Sequence, residues 1–342
     1  MTETRTDVVL HPYTDADEAE TLALLSASLG SGPVGTRSAD FFRWKHVENS
    51  FGRSFMLVAV ADDAIVGLRA FMRWRFRAGG RIYRGVRAVD TATHPDHQGR
   101  GIFSKLTTRA LEEMKGDADF VFNTPNAASR AGYLKMGWQP VGTFPVSVHV
   151  RRPLAFARGM RHLKDVTESA RPRPEPSAPR AAEVLADTER VAALIDAARF
   201  DDGTFRTDVD VAHLQWRYGA APSLDYRAVT IPDGSNFAGL AIFRVRSRGP
   251  LWETTIAELI ARPGDAATTR RLLRAATKAA AVDHVTCRFT VPGEMSRAGV
   301  PTGFVPSPVG VGFVVRAIDG AITPDATALG SWSLRLGDLE VF

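Results

Sequence analysis

The chain has 342 residues, 44% apolar and 24% charged, enough for two domains with cores of their own and ordinary for a globular protein. No apolar run reaches the roughly 20 residues of a membrane helix, and the single cysteine, Cys287, excludes an internal disulfide and a cysteine metal cluster. The net charge of +5 is gathered in residues 151–180, where seven Arg and one Lys face three acids; an excess held in a solvated linker, and not striped over a folded face, points away from nucleic acid.

In chain order, Thr14 and Asp17 are spaced as a capping box with Asp in place of Glu, ahead of an apolar helix over 19–29 that glycines in 30–35 break. Ser38 is placed to cap a short helix through Phe41, Phe42 and Trp44. Strands are predicted over 55–61, 65–76 and 81–93, joined by turns at Asp62-Asp63 and Gly79-Gly80. A helix over 102–115 follows, with Leu106, Ala110, Leu111 and Met114 on one face, then a short strand over 120–123. A second helix over 127–135, closed by Gly137, and strands within 139–150 complete the series. Meandering strands followed by crossovers give an α/β fold with a mixed sheet and helices on its faces.

Two features stand out in this region. The first is the turn Gln98-Gly99-Arg100-Gly101-Ile102-Phe103, between a strand and a helix start. Glycines let backbone approach a ligand, and the unpaired amides and dipole of the helix N-terminus favour a phosphate. It is neither a Gly-x-Gly-x-x-Gly dinucleotide fingerprint nor a Walker loop, since the third glycine of the one and the Gly-Lys-Ser/Thr of the other are missing. The second is Asn126, seven residues before Tyr133. Two helical turns separate them, so Asn126 can cap the helix while Tyr133 hangs its hydroxyl on the same side.

Together, the Gln98-x-x-Gly101 turn after a strand and Asn126 ahead of Tyr133, Gly137 and an aromatic residue resemble the Gcn5-related N-acetyltransferase (GNAT) superfamily. The resemblance implies acetyl-CoA as donor, with amides of Gln98, Gly99, Arg100, Gly101, Ile102 and Phe103 on the pyrophosphate. It implies that Ala92 and Thr93 pair with the pantetheine arm, that Asn126 and Ser129 lie beside it, and that Tyr133 protonates the departing thiolate. Phe103 departs from the Gly or Ala usual in the family. No metal is implied. The expected acceptor is a primary amine on a small molecule or peptide. Asp90 is the acidic residue nearest in sequence and the candidate base, although a regular strand would point it with Ala88 and Ala92; a bulge could reverse that. His46 and Glu48 are alternatives.

The second half repeats the first. Phe42-Arg43-Trp44-Lys45-His46 reappears as Leu214-Gln215-Trp216-Arg217-Tyr218, and 23 residues separate Trp44 from Gly67 as they do Trp216 from Gly239. Asp90 precedes Pro95 by five residues, as Glu258 precedes Pro263. That Glu258 matches Asp90 in a copy lacking the chemistry suggests a structural acid in both. In this copy Gly264-Asp265 replaces the glycine pair, Val300 replaces Tyr133, and Pro301 ends any helix. The expectation is two GNAT folds in tandem: a catalytic domain at 7–150, a basic Pro-rich linker at 151–180 and a degenerate domain at 181–342, which packs on the first and shapes the acceptor pocket. Its tail, 332–342, alternates enough for a strand. Residues 1–7 lack the apolar core of a signal peptide, so the expected setting is cytoplasmic. Rival expectations are a CoA-binding sensor without catalysis, and an aminoacyl transferase of the paired-GNAT type.

Overall fold

The computed structural model describes residues 8–29, 38–163 and 168–339. The glycine-rich break at 30–35 and residues 340–342 of the tail lie outside the described residues. The chain divides into two units. Unit 1 is drawn from Met1–Phe76, Arg81–Gly142 and Gly312–Ala328, and unit 2 from Arg77–Gly80, Thr143–Val311 and Leu329–Phe342.

Unit 1 runs β1 (Val9–Pro12), α1 (Glu18–Leu29), α2 (Ala39–His46), β2 (Phe55–Ala61), β3 (Ala64–Ala78), β4 (Arg81–Thr93), α3 (Ile102–Glu113), β5 (Phe120–Asn123), α4 (Ala127–Lys135) and β6 (Gln139–Phe144). The Thr14 amide and hydroxyl both donate to Asp17 Oδ2, at 2.7 and 2.9 Å, closing the box that starts a 3₁₀ turn ahead of α1. The Phe41 amide donates to Ser38 Oγ at 3.2 Å, the cap of α2. Asp62 and Asp63 take φ of 53° and 60°, which fits the two-residue turn between β2 and β3. The edge strand β1, paired antiparallel with β2, was not anticipated. The sheet order is β1-β2-β3-β4-β5, then the strand Val311–Ala317, then β6. The β4–β5 pairing, with α3 between the two strands, has the parallel crossover form. The place beside β5 is thus filled by a strand far along the chain, antiparallel to it.

The core of this unit gathers Leu57, Phe71, Val86, Val121 and Val314 of the sheet with Ile102, Leu106, Ala110 and Leu111 of α3. Gly67 sets how near the helix lies. A Cβ there would stand 2.7 Å from Ile102 Cγ2, 3.0 Å from Ala59 Cβ and 3.1 Å from Leu106 Cδ1.

Unit 2 repeats the scheme with strands Tyr226–Asp233, Asn236–Arg248 and Leu251–Ala261, helix Ala266–Lys278, and strand His284–Cys287 parallel to Leu251–Ala261. Here the strand Ser147–Val150 fills the place beside His284–Cys287. Gly239 does what Gly67 does: a Cβ would meet Thr268 Cγ2 at 2.7 Å and Leu272 Cδ1 at 2.8 Å. The described part of residues 151–180 is held within unit 2. It carries a short helix, Pro153–Arg161, and bonds from Arg151 to the Thr277 carbonyl at 2.9 Å and from Arg173 to Asp225 at 2.7 Å. The expected terminal strand does not form among the described residues. Trp332 makes one isolated bridge to Phe205, and the chain then turns into a short helix, Leu336–Leu339. Asp338 fixes that turn, its carboxylate accepting from Thr207 Oγ1 and from the Arg335 amide, both at 2.6 Å.

Candidate active site

The site begins with two strands that part. The parallel pairing of β4 with β5 covers Gly85–Phe120, Val86–Val121 and Arg87–Phe122, while β4 continues to Thr93. The backbone between Asp90 and Thr93 therefore borders an opening. That opening is a cleft of about 640 Å³, lined by Thr91, Ala92 and Thr93 of β4, by His97, Gln98, Gly99, Gly101, Ile102 and Phe103, and by Ser28, Ser129, Gly132 and Tyr133. Two sequence features 30 residues apart, the glycine turn and the α4 tyrosine, thus share one cavity.

The turn is built for an anion. Gly99 and Gly101 have φ of 75° and 74°, a left-handed conformation that costs other residues about 1–2 kcal/mol. A Cβ on either would meet nothing within 4 Å, so glycine is required there for conformation and not for room. Gly101 is the N-cap of α3 and no side chain caps that helix. The first-turn amides have no intrahelical acceptor and remain available to a ligand. In unit 2 the equivalent helix is closed: Asp265 Oδ1 accepts from the Thr268 amide at 3.0 Å, and backbone amides hold its carboxyl below the ordinary carboxylate range. That carboxylate satisfies a first-turn amide of the kind that the start of α3 leaves without a side-chain cap.

Asn126 caps α4. Its Oδ1 accepts from the Ser129 amide at 2.9 Å and from Ser129 Oγ at 3.0 Å, and Asn126 is not among the lining residues, whereas Ser129 is. Arg100 is exposed and also lies outside the lining. The Tyr133 ring is buried against Trp138, 5.2 Å between centroids, and meets the edge of Phe103 at 5.9 Å and 82°. Phe103 therefore forms part of the wall that holds the tyrosine. Tyr133 Oη accepts a hydrogen bond of 3.1 Å from Arg69 Nη1, a residue of β3 that the sequence reading passed over.

Asp90 has φ of +39°, the break in the strand that turns its side chain out of regular alternation. Its Oδ2 is 2.6 Å from Lys45 Nζ and 2.8 Å from His46 Nε2. Burial opposes ionisation of Asp90, but the Lys45 ammonium and the His46 imidazole outweigh it and hold the carboxyl well below the usual range. Burial also pushes His46 below its ordinary value, against the pull of Asp90, so the ring is neutral, with Nε2–H donating to Asp90 and Nδ1 accepting from Ser54 Oγ at 2.9 Å. Neither Asp90, His46 nor Glu48 lines the cleft. The second copy has the same arrangement in other residues: Tyr218 Oη donates to Glu258 Oε1 at 2.7 Å, and Arg335 donates to Oε2 at 2.8 Å. The strand is irregular there too, its register shifting beside Ile242, the partner of Glu258.

Among the described residues, no helix is long and apolar enough to cross a membrane. Residues 10–141 match the acetyltransferase (GNAT) domain family. The structure is similar to a probable N-acyltransferase from Enterococcus faecalis, at TM-score 0.62 and 13% identity over 92% of this chain and 73% of that one. It is similar to a GCN5-related N-acetyltransferase from Anabaena variabilis, at TM-score 0.62 and 15% identity over 91% and 73%. Eis1 from Mycobacterium abscessus gives TM-score 0.56 and 16% identity over 91% and 74%. No curated protein matches the chain. The likeness to solved structures extends through both mixed sheets, in keeping with two GNAT-like folds in tandem, and residues 10–141, which hold the glycine turn and Tyr133, are an acetyltransferase domain of the GNAT family.

Proposed function

We propose that the chain transfers an acetyl or other short acyl group from acetyl-CoA to a primary amine by direct attack, with Tyr133 as the general acid. The observation that carries this reading is the single cleft that holds both the uncapped start of α3 and the Tyr133 ring. The amides from Gln98 to Phe103 take the pyrophosphate, and the edge of β4 at Ala92 and Thr93, beyond the reach of its pairing with β5, pairs with the pantetheine arm. Ser129 lies beside that arm, while Asn126 acts through the cap it provides to α4. The amine nitrogen attacks the thioester carbonyl, the carbon–sulfur bond breaks, and the phenolic proton of Tyr133 passes to sulfur. The proton released by the amine leaves to water, from which the phenolate is restored. Holding the two reactants together contributes most of the acceleration, and acid assistance adds about 10²–10⁴-fold.

Asp90 takes a different part in this reading from the one its place in the sequence suggests. A carboxylate shared by an ammonium and an imidazole, with a depressed pKa, is a weak base. Its role is to tie α2 to β4, as Glu258 ties the matching segments of unit 2. We assign one donor site to the chain, since Asp265 fills the second helix N-terminus.

The test is Tyr133→Phe assayed for thiol release with acetyl-CoA and a panel of an aminoglycoside, spermidine and a lysine peptide. Turnover falls by about 10²-fold or more with donor affinity retained; an unchanged turnover removes Tyr133 from the chemistry.

A further inference from the structure

Arg69 is fully buried in the middle of β3, and only one of its three nitrogens has a partner. Nη1 donates to Thr91 Oγ1 and to Tyr133 Oη, while Nε and Nη2 meet no acceptor among the described residues. No carboxylate pairs with it there. What surrounds the guanidinium is aromatic: its carbon lies 4.3 Å from the Phe71 ring centroid, 5.5 Å from Phe103 and 5.4 Å from Tyr133. Arginine stays protonated in proteins, and a buried cation with no counter-charge is costly. Three π faces offset part of that cost. The position is otherwise apolar, between Leu68 and Ala70, which are also fully buried. Nothing in the packing of the strand calls for a charge here. The one reactive group the charge touches is the phenol of Tyr133.

The geometry has two consequences. A phenol oxygen that accepts an N–H has one lone pair engaged, so its own hydrogen must point away from the guanidinium. The side left to it is the cleft, which Tyr133 and Thr91 both line. Once that hydrogen is given up, the electron pair stays on an oxygen 3.1 Å from a cation in surroundings of low polarity, where a charge-assisted bond is at its strongest. We propose that Arg69 is a positioning residue that aims the phenolic hydrogen of Tyr133 into the cleft and holds the phenolate that remains after the proton has passed to sulfur. Thr91 anchors the guanidinium for this purpose. The inference rests on Tyr133 being the acid, and its test separates the two.

The experiment is a double-mutant cycle on the full chain: Arg69→Met, Tyr133→Phe and both together, each assayed for thiol release with acetyl-CoA and the same three amines, and for acetyl-CoA affinity by calorimetry. Arg69→Met lowers kcat by about 10- to 100-fold, the worth of a hydrogen bond to a charged group, and leaves donor affinity unchanged. In the Tyr133→Phe background the same substitution costs nothing further, and Arg69→Lys recovers part of the loss. An Arg69→Met effect of equal size in both backgrounds would mean a structural role and overturns this inference while leaving Tyr133 as the acid. An unaltered kcat in Tyr133→Phe, or no thiol release from the wild type with any of the three amines, overturns both readings. Should Arg69→Met fail to fold, Thr91→Val is the substitute: a smaller loss confined to the Tyr133 background supports the proposal, and a loss in both backgrounds refutes it.

Discussion

Gly67→Ala and Gly239→Ala place the same methyl group in the same relation to the same element of two copies of one fold, and only one copy is read as holding a donor. At Gly67 the new Cβ stands 2.7 Å from Ile102 Cγ2, with Ala59 and Leu106 at 3.0 and 3.1 Å. Ordinary carbon contacts lie at roughly 3.5–4.0 Å, so the helix must retreat by about 1 Å. Ile102 and Leu106 are buried and have no room to turn aside. At Gly239 the closest approaches are 2.7 Å to Thr268 Cγ2 and 2.8 Å to Leu272 Cδ1. Both substitutions overpack a core and should cost about 1–3 kcal/mol in denaturant unfolding. Their effects on the donor should differ. Ile102 begins α3 and belongs to the phosphate turn, so Gly67→Ala displaces the amides that take the pyrophosphate. Loss of ~1.4 kcal/mol of that interaction weakens acetyl-CoA binding tenfold. Gly239→Ala should leave the affinity within twofold of wild type, on the order of 0.4 kcal/mol. Calorimetric titration of the two variants reads this directly. Equal losses of affinity, or a Gly67→Ala protein that binds as well as wild type, would refute the link between helix seating and donor binding.

Asp90→Asn removes the anion shared by Lys45 and His46 and should cost about 3 kcal/mol at neutral pH, as breaking a buried ion pair does. The carboxyl pKa is lower folded than unfolded, so its contribution is complete above the ordinary carboxylate range and fades as pH falls through the folded value. Wild type and Asp90→Asn should therefore converge in stability at strongly acid pH, and a gap that widens there would contradict the assignment. His46 acts in the same direction: its folded pKa is depressed, so protonation of the unfolded chain below the ordinary histidine range erodes stability as pH falls, an effect that His46→Gln should remove. Asn126→Ala should cost about 1 kcal/mol through the lost cap of α4, with turnover lowered less than in Tyr133→Phe. A turnover loss matching Tyr133→Phe would make Asn126 more than a cap.

Much of unit 1 was legible because its signals are local. The capping box at Thr14, the cap at Ser38, the paired aspartates at the β2–β3 turn and the apolar period of α3 each depend on neighbours within a few residues. The strand β1 escaped because four residues with no clear alternation carry almost no periodic signal. The strands beside β5 and beside His284–Cys287 could not be assigned to their sheets, since a duplicated sequence implies that each copy completes itself. The tail misled for a related reason: Asp338 reads as the polar member of an alternating run, and only its bonds to Thr207 and the Arg335 amide show it closing a turn.

At the site, the glycines of the turn and Tyr133 announce themselves by spacing and lie in the cleft, while Asn126, announced the same way, stands outside the lining as the cap of α4. Lys45 was visible only as half of the repeat, and His46 only there and as an alternative base, because their partner Asp90 lies 44 or more residues on and is redirected by a single left-handed residue. A charged residue inside an apolar strand, as in Leu68-Arg69-Ala70-Phe71, was the one available signal for Arg69, and its meaning depends on a tyrosine 64 residues away.

The most direct measurement of the central claim is the stoichiometry of acetyl-CoA binding to the full chain by calorimetry. The open start of α3 and the self-capped start of the matching helix predict one site per chain, abolished by Gly101→Val and untouched by Asp265→Asn. Two sites, none, or one that survives Gly101→Val would contradict it.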